Sequence, residues 1–272
     1  MTSLSVIILA KNVAEEIVPT IKEAKEFADE IIVVDTGSTD DGATLKAVKP
    51  FANKIYQTTG HDFAKWRNHG ARLASSDWLF YLDSDERVTP ALAEEIKKAI
   101  NTSNFSAYQI SRFEIFLGKH LSHWGDPWVL RLIKKDKLDK WVGKLHEQPK
   151  INGPIGKLKN QLVHLPHKNL DEKLGNTINW SRLESEMLLA AKHPQMVGWR
   201  FVRIILTEFN YRFFKQRLFL DGTEGMIEII YQMFSRFLTY VRLWEAQRKP
   251  NLKETYQKID QQILDQWKQK NK

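Results

Sequence analysis

Three observations predict an α/β fold: a mixed and mainly parallel sheet flanked by helices, with a C-terminal helical subdomain. Short apolar runs alternate with helical patterns between Ser5 and Ile100, two of those runs end in carboxylates, and helical periodicity replaces strands from Leu170 onward. Ser5-Val6-Ile7-Ile8-Leu9-Ala10 is the pattern of a strand buried on both faces. Val13 to Ala28 is helical in composition, with a break expected at Pro19. Ile31 to Val34 is the second strand, Gly37 to Asp41 supplies turn and cap residues, Ala43 to Val48 is a short helix and Ile55 to Gln57 a third strand. Phe63 to Leu73 reads as a helix and Trp78 to Leu82 as a fourth buried strand. Pro90 to Ile100 is a helix capped by Thr89, with Pro90 at its first position.

Between Ala107 and Val163 the runs shorten and alternate, predicting antiparallel strands with a turn at Gly118-Lys119. Beyond Leu170, Phe201, Ile205, Phe209 and Phe213 recur every four residues. Met226, Ile230, Met233, Phe237, Val241 and Trp244 share one side of a second helix, and Leu252, Tyr256, Ile259, Ile263 and Trp267 one side of a third. The division expected is an α/β domain over 1–168, carrying the candidate chemistry, and a helical region over 169–272.

The 272 residues are 42% hydrophobic and 27% charged, which suits a globular chain with a sizeable core and not a disordered one. Cysteine is absent, which excludes disulfides, thiolate metal sites and cysteine nucleophiles, and no secretory signal is read at the start. A net charge of +8 draws polyanions: nucleic acid, sugar diphosphates or an anionic membrane face. Glu208, Arg212, Glu228, Arg236 and Arg242 interrupt every stretch approaching the ~18 apolar residues of a membrane span. Residues 197–219 carry Arg200, Arg203, Arg212, Lys215 and Arg217 against Glu208 alone, among many aromatics. Such a helix can lie on an anionic membrane or pack a helical subdomain.

Chemistry is concentrated where apolar strands end. Ligands of open α/β sheets bind outside the carboxyl ends of the strands, and Asp35 and Asp83-Ser84-Asp85 stand at two such ends. Carboxylates at i and i+2 can meet one hard cation, Mg²⁺ or Mn²⁺, which then shares its remaining positions with water and substrate phosphate. A solvated turn is the commoner fate of a lone Asp-x-Asp; Asp35 at a second strand end raises its weight. Asp35-Thr36-Gly37-Ser38 also has the look of an aspartic-protease turn, but those enzymes need two such turns in an all-β setting. No Gly-x-Gly-x-x-Gly follows the first strand. Asp62, Lys65, Arg67 and Asn68 lie on or before a helix from which Arg67 above all can reach a base or phosphate. Arg131 is a charge inside the apolar run Trp128 to Leu132, costly unless a carboxylate or phosphate partners it. Glu147, beside His146, can serve as general base, and His164 as a further metal ligand or a hydrogen-bonded core histidine.

Taken together, Ser5 to Asn12, Ile31 to Asp40, Arg67-Asn68, Trp78 to Glu86, Arg131-Leu132, Leu145-His146-Glu147 and Asp221-Gly222 through Leu243-Trp244-Glu245 resemble the family 2 glycosyltransferases of the GT-A fold, especially the subgroup of lipopolysaccharide core glucosyltransferases. The resemblance implies that Asp35 contacts uridine, that Asp83 and Asp85 hold nucleotide and divalent metal, that Arg131 neutralises diphosphate, that His164 is a later metal ligand and that Glu147 stands at the place of the catalytic base. Many relatives carry an acidic pair where His146-Glu147 stands, which leaves Asp126 as an alternative base. The expected activity is inverting transfer from a UDP-sugar to a hydroxyl of a glycan or lipid-linked acceptor. The expected cofactor is Mg²⁺ or Mn²⁺ and the expected location is cytoplasmic, peripheral on the inner face of the plasma membrane, with no nucleic acid bound. Two rivals are a sugar-nucleotide nucleotidyltransferase, disfavoured because Lys11 to Ala14 is not a Gly-rich phosphate loop, and a nucleic-acid-binding protein, disfavoured by scattered basic residues and acidic strand ends.

Overall fold

A computed structural model describes residues 2–60, 62–102, 104–125, 127–143, 147–166 and 169–270. The chain forms two compact units, one of residues 1–120 and 126–166, the other of residues 121–125 and 167–272. His146 and Asp126 lie outside the described residues.

The first unit opens with β1 (Leu4–Ala10), α1 (Ile17–Lys25), β2 (Glu30–Asp35), α2 (Ala43–Val48), β3 (Lys54–Gln57), α3 (Phe63–Leu73) and β4 (Trp78–Asp83). These strands pair in parallel in the order β3-β2-β1-β4, as the alternation of strand and helix predicts. Every residue of β1 and β2 is buried, because the sheet is covered on both sides. Val6, Ile8, Val33, Phe80 and Leu82 pack with Ile17 and Ile21 of α1 on one face, while Ile7, Leu9, Val34 and Tyr81 pack with Ala64 and Trp66 of α3 on the other. Each such aliphatic contributes roughly 1.5–3 kcal/mol by leaving water. Gly70 brings α3 down onto β1: a Cβ at this position would lie 2.5 Å from Cγ2 of Ile7.

Pro19 does not break α1. It is the third helical residue, where its missing N–H has no intrahelical acceptor to lose.

The unit continues through β5 (Glu86–Arg87), α4 (Pro90–Thr102), β6 (Ala107–Phe116), β7 (Lys119–His120), β8 (Trp128–Lys134), β9 (Leu138–Val142), β10 (Gln148–Ile151), β11 (Ile155–Lys157) and β12 (Leu162–His164). Thr89 Oγ1 accepts the Leu92 N–H at 3.2 Å, the expected cap of α4. β8 runs antiparallel to both β4 and β6, and β6 and β7 form a hairpin whose two turn residues, Leu117 and Gly118, both have positive φ. β11 and β12 instead run parallel to β6, so this half of the sheet is mixed and not simply antiparallel.

The second unit contains α5 (Leu170–Ala190), α6 (Gly198–Asn210), α7 (Thr223–Gln247) and α8 (Leu252–Lys270). The apolar side of α7 is half open: Met226, Ile230 and Phe237 are exposed. The seam between α5 and α7 is polar instead. Lys173 Nζ donates to Glu228 Oε2 at 2.5 Å, Thr177 and Tyr231 hydroxyls lie 2.6 Å apart, and Thr239 donates to Glu184 at 3.2 Å. These buried groups satisfy one another, which removes most of the cost of desolvating them. The α8 stripe of Tyr256, Ile259, Ile263 and Trp267 is exposed throughout. Among the described residues no helix is long and apolar enough to cross a membrane.

Candidate active site

Parallel register sets two acids on either side of β1. Asp35, the last residue of β2, is paired with Ala10, and Asp83, the last of β4, with Leu9. The chain runs outward from β1 through β2 to β3 and then crosses to β4 on the other side. Connections leaving in opposite directions open a crevice at the carboxyl ends of the central strands.

Asp35 is 1% exposed. Its Oδ1 accepts the N–H groups of Gly37 and Ser38 at 3.2 and 2.9 Å and the Ser38 hydroxyl at 2.8 Å, bending the chain tightly after β2. Gly37, at φ 102°, takes a backbone conformation that side chains resist. Among the described residues, Oδ2 accepts only the Gln57 amide, at 3.4 Å.

Asp83 is gripped by two arginines. Arg67, from the buried face of α3, donates through Nη2 to Asp83 Oδ1 at 3.0 Å and through Nε to Glu147 Oε1 at 2.7 Å. Its guanidinium lies 5.7 and 5.1 Å from the ring centroids of Tyr81 and Trp141. Arg131 on β8 donates through Nη2 to Asp83 Oδ2 and, at 2.6 Å, to Glu86 Oε1. Burial pushes the Asp83 carboxyl up, but the charges of Arg131 and Arg67 outweigh it and hold this acid well below the usual carboxylate range. Glu86, fully buried, is raised: burial dominates the opposing pull of Arg131. The charge inside the apolar strand β8 is therefore partnered by carboxylates.

Asn68, beside Arg67, donates to the Trp141 carbonyl at 2.9 Å and accepts the Trp141 N–H at 2.8 Å. Consecutive residues of α3 thus hold both the Glu147 carboxylate and the strand that precedes it.

A second cluster adjoins Asp83. His164 Nδ1 is 2.5 Å from Glu114 Oε2, and its Nε2 is 3.5 Å from Asp85 Oδ2. Arg112 Nη2 reaches Glu114 Oε1 at 2.9 Å. Burial lowers the basicity of His164, yet the bonds to Asp85 and Glu114 prevail and bring its pKa to about 10. At neutral pH His164 is therefore an imidazolium; once a cation displaces its Nε2 proton, that nitrogen and the Asp85 oxygen form a donor pair that suits Mn²⁺ or Mg²⁺ if water and phosphate complete the shell. Asp83 fits that role less well, since both of its oxygens are engaged by arginines. Among the described residues no group of three His, Asp or Glu side chains is arranged around one metal position.

The structure therefore brings Arg67, Asp83, Arg131 and Glu147 into one connected group, places Asp85 and His164 against each other, and sets Asp35 on the far side of β1. Glu86, Arg112 and Glu114 complete the network and carry no role in the sequence reading. The signal that singled out Arg131 is weaker for Arg112 and Glu114, because their strand β6 also carries the polar Gln109 and Ser111.

The sequence profile described as Glycosyl transferase family 2 matches residues 5–153, more than half of the chain. An uncharacterized glycosyltransferase of Rickettsia typhi is 27% identical over 92% of this chain and 89% of its own. The lipopolysaccharide core biosynthesis glycosyltransferase LpsC of Rhizobium meliloti is 25% identical over 85% and 89%. Among solved structures, glucosyl-3-phosphoglycerate synthase from Mycobacterium tuberculosis, in complex with Mn²⁺, uridine-diphosphate and glucosyl-3-phosphoglycerate, superposes at a TM-score of 0.45 with 14% identity, covering 64% of this chain and 75% of that one. On the profile match, the chain belongs to glycosyl transferase family 2 and is a glycosyltransferase.

Proposed function

We propose that this glycosyltransferase is inverting and metal dependent, and moves a sugar from a UDP-sugar to a hydroxyl of a glycan or lipid-linked acceptor of the lipopolysaccharide-core type. The observation that carries the reading is the connected group of Arg67, Asp83, Arg131 and Glu147 at the crevice beside β1. Asp35 Oδ2 is the acceptor for the uridine base, and Asp83 with its two arginines borders the diphosphate. Asp85 and His164 would hold a divalent cation, whose chemistry is to neutralise diphosphate oxygens. In the transfer, the acceptor oxygen bonds to the anomeric carbon from the face opposite the diphosphate. Its proton passes to Glu147, and the electron pair of the breaking C–O bond leaves on UDP, where Arg131 and Arg67 supply fixed positive charge. The Rhizobium meliloti relative, named for lipopolysaccharide core biosynthesis, supports the acceptor class. Glu147→Gln should lower turnover by about 10²- to 10⁴-fold while calorimetry finds UDP binding nearly unchanged. Turnover within a few fold of wild type would remove Glu147 as the base.

A peripheral position on an anionic membrane is supported by the surface of the helical unit. On α6 Trp199, Val202 and Leu206 are 57%, 57% and 53% exposed, with the Arg200 and Arg203 guanidinium groups 4.8 and 5.4 Å from the Trp199 ring centroid. Apolar side chains flanked by cations and interfacial aromatics suit the headgroup region of a bilayer. Vesicle flotation tests this, with binding expected to rise with anionic lipid and fall with salt; indifference to both would count against it.

A further inference from the structure

A groove of about 420 Å³ runs between α3 and β9, and no role given so far uses it. Its walls are Lys65, Asn68 and Arg72 on one side and Lys140, Trp141 and Val142 on the other. Three of these are cations. The one acid in the lining, Asp62, already accepts the Lys65 N–H at 2.9 Å as the cap of α3. Arg72 Nη2 points to His69 Nδ1 at 3.0 Å, a neutral acceptor, because burial and then the charges of Arg72 and Lys65 lower the His69 pKa. The lining thus carries three cations against the single charge of Asp62, and no described ion pair joins a carboxylate to Lys65, Arg72 or Lys140. Trp141 forms part of its wall at 4% exposure.

Position gives the groove a use. Trp141 is part of the lining, and the Arg67 guanidinium, whose Nε holds Glu147, lies 5.1 Å from the Trp141 ring centroid. The cavity and the carboxylate therefore flank the same Arg67–Trp141 pair. The donor's crevice lies at the ends of β1, β2 and β4, so an acceptor presenting its hydroxyl to Glu147 needs a different seat, and this is the cavity next to it. The volume lies within the ordinary range for small-molecule sites and accommodates a sugar or two.

We propose that the α3–β9 groove is the acceptor subsite and that it takes an anionic glycan, one whose phosphate or carboxylate is held by Lys65, Arg72 and Lys140. The proposal rests on the reading of Glu147 as the base, and it narrows the acceptor from any hydroxyl compound to an acidic saccharide.

The test is a titration of the full chain followed by amide chemical shifts, with glucose 6-phosphate, glucuronate, inorganic phosphate and neutral glucose as probes, alongside a variant carrying Lys65→Gln, Arg72→Gln and Lys140→Gln. All three side chains are exposed, so the variant should keep the wild-type fold, which its amide spectrum verifies directly. The expected result is millimolar binding of the two acidic sugars, with shifts concentrated in residues 62–72 and 140–143, and weakening by roughly tenfold or more in the triple variant. Tighter binding of glucose 6-phosphate than of inorganic phosphate assigns the site to a glycan. Equal shifts from glucose, equal binding of inorganic phosphate and glucose 6-phosphate, or unchanged binding in the variant would each overturn the proposal. UDP affinity is measured on the same samples and should agree within about twofold between wild type and variant. A wild-type protein that ignores UDP defeats the UDP-sugar reading, whereas one that binds UDP but no acidic sugar defeats only the groove.

Discussion

Replacing Arg67 by Met keeps the aliphatic stem and deletes the guanidinium, and the consequence can be worked from its partners. The side chain is 4% exposed and makes two charged hydrogen bonds, to Asp83 and Glu147, between two aromatic rings. Removing one member of a buried pair costs about 3–5 kcal/mol, chiefly because the partner's charge is left uncompensated. Asp83 keeps Arg131, and the Glu147 side chain is 13% exposed, so neither acid is wholly stranded. Those relays place the expected loss near the lower end, about 3 kcal/mol, with the ring contacts included. Urea unfolding should show this as a lower midpoint at an unchanged slope. Glu147→Gln retains an acceptor for Nε and should cost about 1 kcal/mol, and the double variant should reveal a coupling of roughly 1.5–2 kcal/mol. A loss below about 1 kcal/mol in the Met variant, or additive effects in the cycle, would mean that water screens the pair and that Arg67 does not hold Glu147.

Asp35→Asn should weaken UDP binding by about tenfold in calorimetry, since a neutral amide replaces a charged acceptor at a buried position, while the turn over residues 36–38 survives. His164→Ala and Asp85→Ala should each abolish the difference in UDP affinity between samples with Mn²⁺ and with chelator; a difference that persists in both would place the cation elsewhere. Acid should destabilise the first unit through Glu30. Burial pushes this carboxyl up, but bonds from Lys54, Ser5 and Ser75 bring it down to about 2 from 4.5. A depressed folded value contributes stability above pH 4.5 that is lost as pH falls toward 2, and solvent screening of Lys54 limits the amount to about 1–2 kcal/mol. Glu30→Gln should therefore flatten the stability profile over that interval, as followed by denaturant midpoints.

The parallel half of the fold could be read from the chain because β1, β2 and β4 are buried on both faces, so their composition alone marks them. Asp35 and Asp83 stood out for the same reason, as the first charges after apolar runs. Partnership was harder to read. Nothing local links Arg67 to Glu147, eighty positions away, or His164 to Glu114, because the first pair forms only when the segment after β9 packs on α3 and the second only when β12 pairs with β6. The contact between α5 and α7 was hidden for a different reason. The apolar stripe of α7 is real, but α5 presents Lys173, Thr177, Ser181 and Ser185 at a four-residue spacing, and a polar seam between two helices leaves no apolar signature to recognise. Pro19 shows that the position of a proline within the first turn matters more than its presence.

One missing methyl group governs how finely this site can be adjusted. Gly70 lies three residues beyond Arg67 on the same helix, at its tightest approach to Ile7. Any side chain there would wedge the helix off the sheet, and the displacement would be carried along a rigid rod to the guanidinium that joins Asp83 to Glu147. Alanine at position 70 should thus act as a remote lever on the spacing between Asp83 and Glu147 without touching either carboxylate, whereas swaps at the open rim of the same helix should leave that spacing alone.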